Sequence, residues 1–218
     1  QLNQLSSELP DSLALRVKEI EKTTNHDVKA VELALAEQFD GSEDVQSLIH
    51  IFLTSEDVNS VSYALMLKDI HNSALSWLQD IQLKLKDLAE KNKDLAMLSR
   101  THGQPASPTT LGKELANYRS RIRLSRDHFL NVQILGKFNG AVGNFNAHIV
   151  ADSKKNWLEI SRSFVEEDLG LIVNEMTTQI EPHDWIARYS NELVVINSIM
   201  LDFCRDVWSY ISLGYFTQ

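Results

Sequence analysis

Three histidines stand at breaks in the hydrophobic pattern, each among polar neighbours: His26 in "TTNHDV", His102 in "RTHGQP" and His183 in "EPHDW". An imidazole at a chain break is a natural proton donor or acceptor, because its ordinary pKa of about 6.5 lies close to working pH. Gly103, directly after His102, lets the backbone approach a ligand closely. His102 could instead cap the last carbonyls of a preceding helix, and the motif alone leaves both roles open. Other chemistries lack their signatures. There is no H-E-x-x-H and no acidic triplet at ligand spacing, so neither a metal nor another cofactor is expected. Phosphate loops of the G-x-G-x-x-G or Walker type are missing too. The single cysteine, Cys204 in "IMLDFCRDVW", permits no disulfide within the chain and reads as a small core residue of a cytoplasmic protein.

The elements that must position these histidines are helices. The 218 residues include only 8 Gly and 4 Pro, and strand-like alternation is almost absent. Apolar residues recur at threes and fours instead, as in Leu75, Leu78, Ile81, Leu85 and Leu88, which predicts an all-α chain. "SLALRVKEIEKTTNHDVKAVELALAEQF" reads as two short helices broken at "TTNHD", with Thr24 or Asn25 as the cap of the second. "GSED" at Gly41 reads as a turn and a domain boundary, dividing 1–43 from 44–218. Thr54 and Asp57 stand at capping-box spacing, and a helix from about Ser55 to Lys91 would run for roughly 55 Å at 1.5 Å per residue. Ser107 and Pro108 predict the start of the next helix, reaching about Val132. "DSKKNWLEISRSFVEEDLG" reads as a capped amphipathic helix ending at Gly170. The last helix, from Pro182 to about Leu213, is apolar on more than one face, and such a helix must be covered on all sides, which implies an oligomer.

Charge and hydropathy limit the partners. The formal net charge is -9, and the most basic stretch, "RSRIRLSR" from Arg119, reads as the solvated face of a helix, so nucleic acid is not an expected partner. No secretory signal opens the chain, and "LVVINSIML" is too short to span a bilayer, so no membrane is expected. The chain starts at Gln1 and stops at "YFTQ", and both ends are expected to be cuts in a longer protein.

Six stretches taken together, "TTNHDVKAVE", "FTSEDVNSVSYAL", "RTHGQPASPTTLGKE", "NGAVGNFNAH", "TTQIEPHDWIA" and "DFCRDVWSYISL", resemble the bacterial adenylosuccinate lyases of the fumarase/aspartase superfamily, in order and over nearly the whole chain. The resemblance implies a long-helix bundle forming the core of a homotetramer, with each active site drawn from three subunits. It also implies β-elimination of fumarate from adenylosuccinate, giving AMP, and from the succinyl-carboxamide ribotide (SAICAR) of purine biosynthesis. By the same resemblance His102 is the catalytic acid. Asn25, His26 and Asp27 contact substrate, Thr54 and Ser55 bind a substrate carboxylate, and Gln179 makes a further substrate contact. A helix N-terminus at Ser55 suits an anion in any case. Glu56 and Asp57, being acidic beside that site, are expected to face away from it as solvated or supporting groups, and His183 and Asp184 to be helix-start residues. Asn139 and Asn146 are expected to make polar contacts at most, and the four tryptophans to serve core or interface.

The family's catalytic base is a serine on a loop expected beyond Gln218, so these 218 residues are expected to be inactive alone. The competing readings are another fumarate-releasing lyase, such as an argininosuccinate lyase, and a non-catalytic helical oligomerisation module. Polar clusters at several breaks argue against the module, which would need none of them.

Overall fold

The computed structural model describes residues 9–39 and 43–217; Gly41 and its expected turn lie outside the described residues. Long helices dominate, as the three-and-four periodicity requires. In chain order they are α1 (Asp11–Thr24), α2 (Asp27–Glu37), α3 (Glu43–Leu48), α4 (Ser55–Lys91), α5 (Leu111–Leu130), α6 (Asn146–Ala151), α7 (Trp157–Ser163) and α8 (Asp184–Ser212). A π-helical turn, Phe164–Asp168, continues α7. Among the described residues no helix is long and apolar enough to cross a membrane.

The chain divides into two compact units, one formed by the described residues up to Leu65 with Leu135–Pro182, the other by Met66–Ile134 with the described residues from His183 onward. In the first, α1 and α2 form a helical hairpin around Leu13, Ile20, Ala30 and Ala34. Arg16 spans it from outside, its Nε and Nη2 donating to the two carboxylate oxygens of Glu37 at 2.8 and 2.7 Å. Two short strands, β3 (Leu135–Gly136) and β4 (Ile172–Val173), pair in parallel. Gly136 lies there because a side chain would crowd Leu171 and Val61, each 3.2 Å from where a Cβ would stand. His148 on α6 is buried among the rings of Phe52, Phe138, Phe145 and Trp157.

The second unit is a bundle of α4, α5 and α8. Its core is Leu78, Leu85, Tyr118, Ile122, Phe129, Tyr189, Ile196 and Ile199, with the imidazole of His71 packed on the Phe129 and Tyr189 rings. At its polar edge Tyr118 donates to Asp206, and Arg121 pairs with Asp202 at 2.7 Å. Burial and the Asp206 carboxylate together raise the Tyr118 phenol well above its ordinary value.

An antiparallel hairpin corrects the expectation that helix follows helix around His102. Strands β1 (Ala96–Thr101) and β2 (Gln104–Thr110) pair from Ala96↔Thr110 to Thr101↔Gln104. The physical reason lies in the turn and in the prolines. His102 and Gly103 both have positive φ, 50° and 75°, the backbone that closes a two-residue hairpin loop. Pro105 and Pro108, unable to donate to a ladder, are tolerated because each strand of a two-stranded ribbon is an edge. The helix start moves accordingly. Thr110, not Ser107, caps α5, its hydroxyl accepting from the Lys113 N–H at 3.1 Å. Cys204, expected in the core, is exposed instead, since α8 turns Tyr189, Ile196 and Ile199 inward and Cys204 outward.

Two expectations about stability follow from this packing. Gly112 lets the start of α5 meet the end of α4 backbone to backbone, for a Cβ there would lie 2.4 Å from the Ala89 carbonyl oxygen and 2.6 Å from the Lys93 Cα. Gly112→Ala is therefore expected to lower stability by about 1–3 kcal/mol, read as a fall in urea midpoint. Burial holds the imidazole pKa of His71 and of His148 below the ordinary value. The unfolded chain then binds protons first as pH falls, so stability drops below about pH 6.5, the ordinary histidine value. Urea titrations at pH 7 and pH 5 should show the drop, and a smaller one in His71→Phe; equal drops in the two proteins would show that His71 does not contribute.

Candidate active site

His26 joins two elements that sequence reading treats separately. It caps α2: its Nδ1 accepts the Lys29 N–H at 3.3 Å. This corrects the expectation that Thr24 or Asn25 caps α2. Asn25 instead closes α1 in the left-handed conformation, with its N–H on the Glu21 carbonyl at 2.8 Å. Because Nδ1 accepts, a neutral His26 carries its proton on Nε2. Nε2 lies 3.3 Å from the Ser55 hydroxyl, the first residue of α4. Donation from Nε2 to Ser55 Oγ leaves the Ser55 proton free to point at a ligand.

Asp27 completes this corner. Its Oδ1 accepts from the Val28 N–H at 2.7 Å and lies 3.3 Å from His26 Nδ1. Its Oδ2 is 3.5 Å from the Asn59 amide nitrogen, which also donates to Glu56 at 3.2 Å. Asn25, His26, Asp27, Thr54 and Ser55 are thus gathered where α1 ends and where α2 and α4 begin. Such a corner offers hydroxyl and imidazole donors beside the N–H groups of a helix start, which is chemistry suited to a carboxylate or phosphate.

Of the two roles expected for Asp57, solvated or supporting, the structure shows the second, one turn into α4. Asp57 is 1% exposed and paired with Lys137, which is fully buried. Lys137 Nζ donates to Asp57 Oδ1 at 2.8 Å and to the Gly140 carbonyl at 2.9 Å. Asp57 also accepts the N–H of Thr54 at 2.9 Å, of Asn139 at 3.0 Å, and of Gly140 at 3.1 Å on one oxygen and 3.3 Å on the other. The expected capping box is therefore half present: the Asp57 side chain takes the Thr54 N–H, and the Asp57 N–H goes to the Thr54 carbonyl at 3.0 Å.

The same network extends to Thr177, two residues before Gln179. The Asn139 side-chain amide nitrogen donates to Thr177 Oγ1 at 2.8 Å. Gly143 packs directly on that segment, because a Cβ would stand 2.2 Å from the Thr177 carbonyl oxygen. Gln179 is exposed in the bend that follows. Sequence reasoning undervalued Asn139 and left Lys137 unassigned. The available signal was a lysine in an otherwise apolar and glycine-rich stretch, "ILGKFNGAVG", where a buried cation needs an acidic partner.

His102 belongs to the second unit. It sits at the tip of the β1–β2 hairpin, exposed, rather than at a helix end, so the helix-capping alternative is withdrawn. Positive φ is costly for most residues and is tolerated by His, Asn and Asp better than by the rest. His183 has φ 62° and precedes Asp184, the first residue of α8, as expected of helix-start residues. Among the described residues no group of three or more His, Cys, Asp or Glu is placed to hold a metal ion.

Known proteins resemble this chain in sequence and in fold. The chain is 47% identical to an adenylosuccinate lyase of Vibrio cholerae, over 100% of this chain and 48% of that protein. It is 48% identical to the adenylosuccinate lyase of Legionella pneumophila strain Corby over the same shares. With that of Escherichia coli K12 it shares 49% identity over 94% of this chain and 46% of the relative. The chain thus spans about half the length of the curated relatives it matches. Among solved structures, a fumarate lyase from Mesorhizobium sp. BNC1 superposes with a TM-score of 0.81 at 18% identity, over 94% of this chain and 47% of that one. A 3-carboxy-cis,cis-muconate lactonizing enzyme from Pseudomonas putida gives 0.77 at 20% identity, over 96% and 50%. At those identities the likeness concerns the fold alone. The family model described as "Lyase" matches residues 1–218, and the chain belongs to that lyase family.

Proposed function

We propose that the protein carrying this chain eliminates fumarate from adenylosuccinate, giving AMP, and from SAICAR in de novo purine biosynthesis. The observation that carries the reading is the match, along the whole chain and at close to half identity, with adenylosuccinate lyases. The site adds a chemical account. In the elimination a base removes a proton from the carbon next to a carboxylate, and that electron pair becomes the new C=C bond. The C–N bond breaks with its pair leaving on nitrogen, and an acid protonates the nitrogen. His102 is the acid in this reading, presented on a two-residue turn. Thr54 and Ser55 hold a substrate carboxylate, with the Ser55 hydroxyl oriented by His26. Asn25, Asp27 and Gln179 make further polar contacts. The base is assigned to no residue of these 218. A purely structural oligomerisation module leaves the exposed His102 and the His26–Ser55 contact without a role.

The protein acts in this reading as a cytoplasmic homotetramer. Apolar residues support it, for they recur every seventh position on the outer sides of two long helices: Ile70 and Trp77 on α4, and Val194, Leu201 and Trp208 on α8. Trp77 is 65% exposed and Trp208 71% exposed, exposures that a partner helix would remove. Light scattering on the full-length protein should give four subunits, and Leu201→Lys with Trp208→Lys should give a smaller species; a wild-type monomer would refute the assembly.

The chemistry is tested at His102. Asn accepts positive φ as readily as His, so His102→Asn keeps the hairpin and removes only the proton donor. Fumarate release from adenylosuccinate, followed by ultraviolet absorbance in the full-length protein, should fall about 10²- to 10⁴-fold in this variant with the urea midpoint unchanged. Undiminished turnover would take the acid role away from His102.

A further inference from the structure

The Asp57 carboxylate lies in the first turn of α4, beside the residues that the proposed function gives to a substrate carboxylate. A bare anion there would repel that substrate. We propose that Asp57 and Lys137 are positioning residues for the substrate-carboxylate site: Asp57 fixes the Thr54–Ser55 and Gln179 segments, and Lys137 cancels the charge this requires so that an anion can bind at the α4 start. The inference rests on the proposed role of Thr54 and Ser55.

The hydrogen bonds explain why a carboxylate is used. Four donors converge on Asp57: the N–H groups of Thr54, Asn139 and Gly140, and Lys137 Nζ, spread over both oxygens. An asparagine offers one acceptor oxygen and would set its NH2 against the donors on the other side. A neutral strut therefore cannot hold the α4 start and the 137–140 loop together. From that loop Asn139 reaches Thr177, two residues before Gln179, and at α4 Thr54 adjoins Ser55, which His26 contacts. A single ion pair thus reaches three of the stretches assigned to substrate. Charge is the cost of this arrangement, because burying an ion pair is often less stabilising than burying apolar groups of the same volume. Lys137 answers that cost from within, with Nζ held between Asp57 and the Gly140 carbonyl. Ser60 seats the lysine backbone, exchanging hydrogen-bond contacts of 3.3 Å with both its N–H and its carbonyl.

The test compares Lys137→Met, Asp57→Asn and the double variant in the full-length protein, by steady-state kinetics on adenylosuccinate and by amide hydrogen exchange. Lys137→Met leaves the carboxylate uncompensated and should raise KM roughly tenfold or more, with a smaller change in kcat, since like-charge juxtaposition is strongly unfavourable. The double variant removes both charges and should bring KM back toward wild type, while kcat stays reduced because the donors on Asp57 are no longer all met. Asp57→Asn should speed exchange at Thr54–Val58 and Thr177–Gln179 and leave α5 protected. Should Lys137→Met fail to fold, the double variant decides by the same KM and kcat pattern. An unchanged KM in Lys137→Met, equal losses in single and double variants, or exchange rising uniformly along the chain would overturn the proposal. If wild-type protein does not cleave adenylosuccinate, the lyase reading fails by itself, and the exchange pattern alone decides whether Asp57 positions the two segments.

Discussion

One buried carboxylate organises the first unit. Asp57 collects donors from two places far apart in sequence: the turn before α4, and the loop after β3 together with the Lys137 side chain that opens it. No regular helix or sheet ladder could hold those pieces together, because their backbone N–H groups point out of irregular segments. An ionised carboxylate can, since its two oxygens accept several hydrogen bonds and charge-assisted bonds are about twice as strong as neutral ones. The interior position shields those bonds from water, and it also makes the counter-charge of Lys137 obligatory.

The second unit is held by ordinary means and carries one unusual feature. Apolar side chains of α4, α5 and α8 fill its centre, and Gly112 allows α5 to start against the end of α4. On this frame the β1–β2 hairpin presents His102. The strands supply stiffness, and the His-Gly turn fixes the backbone where the imidazole leaves it. Tyr215 near the end of the described chain donates to the Leu98 carbonyl at 3.0 Å, tying the segment after α8 to the hairpin. Both units therefore place polar side chains at ends and turns, where backbone groups are open to ligands, and leave the helix interiors to packing.

Much of this was legible in the residues, for physical reasons that differ by position. The span of α4 could be read from a polar start at Thr54 and an unbroken apolar period, because both signals are local. The hairpin was not legible: His-Gly is a less familiar loop pair than Asn-Gly, and two prolines argue against strands unless each strand is known to be an edge. Cys204 was misplaced because its apolar neighbours in sequence lie on several sides of α8, and sequence alone does not say which side meets α5. The burial of Asp57 was not legible for a deeper reason. An acid next to an anion site reads as solvated unless its cation is known, and Lys137 is eighty positions away.

The sequence by itself determined the helical class, the long central helix and the polar residues at its breaks. Those depend on periodicity and on side-chain chemistry, which act over a few neighbouring residues. Only the tertiary structure decided that His26 meets Ser55, that Asn139 reaches Thr177, and that Lys137 neutralises Asp57. These contacts depend on distances between segments remote in the chain, and on burial, which turns an ordinary lysine and aspartate into an obligatory pair.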